Sequence, residues 1–296
     1  MADDRLAIYV LDVGQGDCTF IVPPEGQGAP ILVDCNDWYV AERFVANHGI
    51  VHLDAVIASH LDRDHIRGIV PFLMNHFAVG RSLGKLIIGI DRQLKGAEQR
   101  EIAILLRQAL AWSSHPPCPG FSLEDPTRGA TPRTIAQGTD WSVQLVLPFH
   151  ATRLESLGLG GEDPNLCSAV IRVVGAKHAF ISVGTNNAYG HPDPQEIQAM
   201  RGSDTCRARC TQLTPRCHPN PAKLRVDALR VAGGVEWPYR HHARPGDPVR
   251  PAPTSECPCA GSMAMWIDPG GKLDGVPPPG GAHDRFLKKI AHARCV

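Results

Sequence analysis

A seven-residue stretch, Ser-His-Leu-Asp-Arg-Asp-His at 59–65, constrains this chain more than any other part of its sequence. It follows directly on the apolar run 53–58, which is typical of a buried strand. A strand fixes where the next loop begins, so polar side chains in that loop can converge at one edge of a sheet. Divalent cations bind such a mixture of nitrogen and oxygen donors, so we interpret the stretch as a metal-binding loop. The alternative interpretation is a solvated polar loop. The metal-competent side chains are His60, Asp62, Asp64 and His65.

Strand and helix patterns alternate along most of the chain, which predicts an α/β fold. The predicted strands are 7–11, 18–22, 31–33, 53–58, 85–90, 142–147, 168–174, 179–183 and 262–267. The predicted helices are 40–48, 68–77, 97–112 and 284–293. Pro71 must lie in the first turn of the second helix, where a missing N–H costs nothing. Residues 113–140 are rich in Pro, Gly, Ser and Thr and are predicted to form a long loop.

Length and composition predict three regions in this chain of 296 residues. Residues 1–217 are expected to form the core. Residues 218–256 contain seven prolines with little periodicity, so they are interpreted as a Pro/Arg-rich irregular insertion. Residues 257–296 are expected to supply a Cys-containing return strand and a C-terminal helix that packs on the core.

Neither a membrane span nor a signal peptide is expected from the sequence. No run of about 18 apolar residues occurs. The N-terminal Met-Ala-Asp-Asp-Arg lacks the basic and hydrophobic regions of a secretory signal. We therefore expect a cytoplasmic protein with no membrane partner, in which the ten cysteines are thiols or metal ligands and not disulfides.

The formal net charge is zero but the charges are unevenly spread. Residues 1–200 carry 15 Lys and Arg against 22 Asp and Glu, a balance of −7. Residues 201–250 carry 10 against 4, a balance of +6. A basic segment on an acidic body fits a polyanionic partner such as nucleic acid, and it fits a solvated Arg-rich loop equally well.

Four motifs occur in a fixed order: Leu-Asp-Val-Gly-Gln-Gly-Asp-Cys at 11–18, Val-Asp-Cys at 33–35, the stretch 59–65, and Ile-Ser-Val-Gly-Thr-Asn-Asn-Ala-Tyr-Gly-His-Pro at 181–192. Together they resemble the metallo-β-lactamase superfamily, and within it the hydrolase domain of ComEC-type competence proteins and their soluble relatives. The resemblance implies a four-layer αββα sandwich with a metal site along one edge of the two sheets. It is weak over 78–164, which leaves open whether the second half of the sandwich is complete.

The resemblance also implies a role for each site residue. It places His60 and Asp62 on one metal, and Asp64, His65 and His191 on a second. It gives supporting positions to Asp17, Asp34 and Asn165. A divalent cation lowers the pKa of bound water toward about 7, and Asp64 and His65 are the expected catalytic residues beside it. An aspartate at position 62 hardens the ligand set, which favours Mn²⁺ alongside Zn²⁺.

Two motifs that members of this family carry are missing from the sequence. The predicted strand 168–174 is followed by only four residues before the next one, with no Gly-Asp between them, and the sole His-His pair, at 241–242, is followed by Ala243. The leading prediction is a metal-dependent hydrolase, most reasonably a phosphodiesterase or nuclease. The alternative is a binding or regulatory module that keeps the fold and has lost catalysis.

The remaining cysteines allow two interpretations. Four of them could form a tetrahedral structural zinc site, although their spacings differ from those of a zinc ribbon. They are Cys210, Cys217, Cys257 and Cys259. Buried or free thiols are the equal alternative. Cys18, Cys35 and Cys167 occupy strand positions and are predicted to be small core residues.

Overall fold

The computed structural model describes residues 4–88, 99–125, 133–145, 178–181, 207–210, 263–270 and 272–274. Its strands are β1 Leu6–Val10, β2 Cys18–Val22, β3 Ile31–Cys35, β4 His52–Ala58, β5 Ser82–Ile88, β6 Ser122–Glu124, β7 Arg133–Gln137, β8 Ser142–Leu145, β9 His178–Ile181, β10 Arg207–Cys210, β11 Met263–Ile267 and β12 Leu273–Asp274. Its helices are α1 Trp38–Asn47, α2 Arg63–Ile66, α3 Ile69–Ala78 and α4 Gln99–Ser114. The predicted α/β class is confirmed.

Eight strands form one mixed sheet in the order β12-β11-β1-β2-β3-β4-β5-β6. Pairing is antiparallel from β12 to β3 and parallel from β3 to β6. The parallel strands β3, β4 and β5 therefore end at one edge of the sheet, which we call the carboxyl edge. Ligand sites of open α/β sheets lie at such an edge, and the stretch 59–65 begins there.

Helices cover one face of this sheet and a hairpin covers the other. Apolar side chains of α1, α3 and α4 pack on the first face, among them the fully buried Phe44 and Phe72. On the second face Ile135 and Val143, from the antiparallel pair β7–β8, pack against sheet residues such as Ile57. The described residues thus form a helix layer, a sheet and part of a further β layer. The described residues do not show the fourth layer of the predicted sandwich.

Local sequence explains where the helices begin. Asp37 precedes α1, and its carboxylate accepts hydrogen bonds from the backbone N–H groups of Tyr39 and Val40. Pro71 is the third residue of α3 and lies in its first turn, as predicted. Cys18 and Cys35 are buried opposite each other where β2 pairs with β3, so their prediction as core residues is confirmed.

The prediction of a long loop over 113–140 is wrong in part, because β6 and β7 both lie inside it. β6 has only three residues and is formed by parallel pairing with β5, which local sequence does not signal. Helical spacing predicts Leu110 on the buried face of α4, but Leu110 is exposed and Trp112 is buried in its place. The predicted core residue Cys167, the predicted strand 168–174 and the predicted helix 284–293 lie outside the described residues.

In the part of the chain that the structure describes, no helix has the length and apolar character needed to cross a membrane.

Candidate metal centre

Three donor side chains from separate elements meet at the carboxyl edge. Asp34 is the penultimate residue of strand β3, His60 follows β4, and His65 lies in α2. One ligand atom of each lies within 4.8 Å of the others. Parallel pairing of Val33 with Ile57 brings the ends of β3 and β4 to the same level, which is why side chains so far apart in sequence come together.

Asp34 is buried and has an unusual backbone conformation. Its φ of 55° makes it the one non-glycine residue with positive φ among those described, and aspartate tolerates this region better than most residues. One carboxylate oxygen accepts the backbone N–H of Ser59 at 2.7 Å, and the other accepts the Ser59 hydroxyl at 2.5 Å. Such backbone strain is retained where surrounding contacts enforce it, and it clusters at functional sites.

Asp34 also orients the ring of His65. The Nδ1 atom of His65 lies 2.8 Å from Asp34 Oδ2 and 3.4 Å from Asp17 Oδ2, so Nδ1 carries the proton and donates it. That hydrogen bond leaves Nε2 as the nitrogen available to a cation. Burial alone would lower the pKa of His65, but the hydrogen bond and charge of Asp34, with Asp17 and Asp64, raise it to about 9.

His60 is oriented by the same carboxylate through Ser59. The hydroxyl of Ser59 donates to Asp34, so it accepts from Nδ1 of His60 at 3.0 Å. Nε2 of His60 is then the free nitrogen, and it lies 3.6 Å from Asp62 Oδ2. Two donors about 2.1 Å from a tetrahedral zinc ion are roughly 3.4 Å apart, so this pair has a spacing that one ion can bridge.

The two imidazoles differ in protonation although their ring centres are only 3.7 Å apart. Burial, and the neighbouring ring of His65, lower the pKa of His60. His60 is therefore neutral near pH 7, while His65 is cationic in the metal-free protein. A cation held through Nε2 of His65 would need the lone pair of that nitrogen, so its binding would compete with the Nε2 proton.

Backbone contacts fix the loop that carries Asp64 against the turn that carries Asp17. The N–H of Asp17 donates to the carbonyl of Asp64 at 3.2 Å. Gln15 Nε2 lies 3.5 Å from Asp64 Oδ2. Asn36 bridges the same turn, because its side-chain amide donates to the carbonyls of Val13 and Gln15. Three loops thus hold one another in place around the histidine pair.

The structure brings together most of the predicted site residues that it describes. They are Asp17, Asp34, His60, Asp62, Asp64 and His65. Asn165, His191, Cys217, Cys257 and Cys259 lie outside the described residues, and Cys210 is described only as the last residue of β10. Although Asp34 offers an oxygen at ligand distance, its hydrogen bonds favour the supporting role that the resemblance implies.

Sequence reasoning missed Ser59 and Asn36, which hold the site without being metal ligands. Ser59 is the first residue of the seven-residue stretch, but its link between Asp34 and His60 depends on the pairing of β3 with β4. Asn36 follows Asp34 by two positions. Its partners are the carbonyls of Val13 and Gln15, in a glycine-containing turn whose position is known only from the folded structure.

Replacing His60 with alanine is expected to weaken divalent-metal binding by at least about tenfold, because it removes one of two imidazole ligands. Metal content after dialysis, measured by elemental analysis, checks this. His115→Ala is the matched control, since His115 is exposed near the end of α4. Equal metal content in the two variants would contradict the site.

No protein-family model matches the chain. The chain is similar to ComE operon protein 3 of Bacillus subtilis (strain 168), with 24% identity over 239 residues, which cover 66% of this chain and 30% of that protein. It therefore spans about a third of that relative. A solved structure described as a new diphosphatase from the PhnP family covers 67% of this chain and 70% of its own, at 11% identity and a TM-score of 0.34. That score is too low to assign a fold.

Proposed function

We propose that this protein is a divalent-metal-dependent hydrolase of the metallo-β-lactamase type whose substrates are phosphodiesters of nucleic acid. The observation that carries the proposal is the convergence of His60 and His65 beside Asp34 at the carboxyl edge of the sheet. Similarity to ComE operon protein 3 is consistent with it but covers only 30% of that relative. The four-layer sandwich of that superfamily is part of the proposal.

The chain's own residues have distinct tasks in this reaction. His60 and Asp62 form the better-defined ligand pair, since their donor atoms are 3.6 Å apart. Asp34 fixes the donor nitrogen of both imidazoles, one directly and one through Ser59. Asp64 is half-buried beside Gln15 and is the carboxylate that we assign to orienting water or accepting its proton.

A bound divalent cation would supply Lewis-acid polarisation of a phosphoryl oxygen and would acidify water. Two imidazoles with surrounding carboxylates suit Zn²⁺ or Mn²⁺, and the excess of oxygen donors is the feature that keeps Mn²⁺ in the proposal. We propose nucleic acid as the partner because residues 201–250 carry a balance of +6 (10 basic against 4 acidic residues). A cytoplasmic location belongs to the same proposal.

Metal-stripped protein reloaded with Mn²⁺ or Zn²⁺ is expected to cleave bis(p-nitrophenyl) phosphate and single-stranded DNA or RNA. Asp64→Asn keeps the size of the side chain and removes its charge, so we expect a loss of at least about tenfold in kcat. Glu25→Gln is the matched control, because Glu25 is exposed in the β2–β3 turn at the opposite end of the sheet. Initial rates under saturating metal measure both.

The second candidate is a metal-binding module without catalysis, which the missing Gly-Asp and His-His-Gly motifs favour. It predicts protein that holds its cation and binds nucleic acid but hydrolyses no phosphodiester with either metal. That result, with metal content confirmed, would reject the hydrolase.

A further inference from the structure

Arg63 lies in the short helix α2 and Arg67 is its C-terminal cap, and the same helix carries Asp64 and His65 of the candidate metal centre. Arg63 lies between Asp62 and Asp64, and Arg67 follows it by four positions. Arg67 keeps right-handed helical backbone angles, so the two side chains lie one turn apart on the same face. Both side chains are exposed, and that of Arg63 is 58% exposed. Two exposed cations thus belong to the short helical turn that also carries His65.

Each arginine is held only near the base of its guanidinium. Arg63 pairs through Nε with Glu101 in the first turn of α4, at 3.3 Å. Arg67 donates from Nε to the carbonyl of Asn36 at 3.4 Å. Among the residues that the structure describes, the terminal nitrogens of neither arginine make a hydrogen bond. Each side chain is therefore oriented while its outer donors stay available.

The partners of the two arginines lie on elements next to the candidate metal centre. Asn36 fixes the glycine turn, and its own N–H donates to the carbonyl of Asp17. Glu101 opens the helix that follows β5, whose carboxyl end lies at the same edge as those of β3 and β4. The guanidiniums are thus anchored to the rim of the carboxyl edge and not to a remote surface.

We propose that Arg63 and Arg67 bind non-scissile phosphates of a polyanionic substrate, and so select polynucleotides over substrates with a single phosphate. This rests on the proposed function, because it names the substrate class of the same site. A guanidinium with free terminal N–H groups can donate two parallel hydrogen bonds to the oxygens of one phosphate. Arginine does not act as a metal ligand here, so the positive charges of Arg63 and Arg67 are available to phosphates elsewhere along the substrate.

Binding of a labelled single-stranded DNA oligonucleotide to the full chain, in Ca²⁺ to suppress turnover, tests this directly. Each phosphate contact made by a cation contributes about 0.7 to the slope of log affinity against log salt for single strands. We expect Arg63→Gln and Arg67→Gln each to lower the affinity several-fold and the slope by about 0.7. Arg107→Gln removes the same charge from an exposed position farther along α4 and is the matched control. Equal effects of Arg107→Gln and Arg63→Gln would overturn the proposal.

Kinetics supply the second readout. We expect Arg63→Gln to raise KM for the oligonucleotide by about five- to twentyfold while kcat changes little. The same substitution should raise KM for bis(p-nitrophenyl) phosphate much less. Equal losses in kcat/KM on both substrates would overturn the proposal. If neither substrate is cleaved with any metal, the proposed hydrolase fails. Arginine-dependent, salt-sensitive binding in that case still supports the phosphate contacts, so the two failures are distinguishable.

Discussion

Replacing Gly16 with alanine is expected to destabilise the protein by about 3 kcal/mol or more and to abolish metal retention. A Cβ atom at this position would lie 2.1 Å from the carbonyl oxygen of Asp64 and 2.8 Å from Cβ of Asn36. Both neighbours are fixed by hydrogen bonds, so the collision is with backbone and a held side chain. The φ of 125° adds strain that only glycine avoids. The turn must therefore move away from the loop that carries Asp64.

Gly26→Ala is the matched control for that substitution. Gly26 also has positive φ, at 78°, but no atom lies within 4 Å of the point that a Cβ atom would occupy there. It should cost only about 1 kcal/mol of backbone strain and leave metal content unchanged. Urea unfolding of chelator-treated protein, together with elemental analysis, separates the two variants. Equal destabilisation, with metal retained in both, would show that the contact between Gly16 and Asp64 is not required.

Metal affinity is expected to rise steeply with pH, because a cation and a proton compete for Nε2 of His65. The pKa of His65 is about 9 in the metal-free protein, against an ordinary value of 6.5. Below pH 9 each unit of pH should therefore strengthen binding by up to about tenfold, or roughly 100-fold between pH 6.5 and 8.5. Isothermal titration in buffers of different ionisation enthalpy should show about one proton released per bound ion near pH 7.

The same proton has the opposite effect on the metal-free fold. Since the pKa of His65 is higher in the folded chain, its protonation stabilises the fold below pH 6.5, and this stabilisation is lost as pH rises through about 9. The amount is at most about 3.4 kcal/mol. Asn tolerates positive φ as Asp does, so Asp34→Asn removes the charge of residue 34 without adding backbone strain. Metal affinity and the stability of the metal-free fold should then both depend less on pH. Persistence of both pH dependences in Asp34→Asn would place the proton elsewhere.

The ligand loop can be predicted from the sequence because its signal is local. An apolar run followed by alternating His and Asp identifies β4 and the cluster at 60–65 without any knowledge of partners. Helix α4 is predictable for the same reason, since its apolar residues recur at helical spacing. What stays hidden depends on pairing between distant segments. Asp34 reaches His60 through Ser59 only because β3 and β4 pair in parallel at one register.

Short helices and strands also cannot be predicted from the local sequence pattern. α2 has four residues, and the sequence pattern predicts a loop there, although this helix sets the spacing of Arg63 and Arg67. β10, with the sequence Arg-Ala-Arg-Cys, has no apolar alternation and exists by pairing with β9. Tertiary pairing overrides propensity in such segments, so a residue pattern does not reveal them.

The order of strands in the main sheet has a consequence for how the protein folds. Every described residue of the candidate metal centre lies between positions 17 and 65, on or next to strands that pair with their neighbours in sequence. β11 reaches β1 only after about 250 intervening residues. Contacts of short sequence separation close with the smaller loss of chain entropy. We therefore expect the two histidines to be held in position early, while the emerging chain still lacks its last strands. A cation bound at that stage would stabilise the folding nucleus as well as the finished protein.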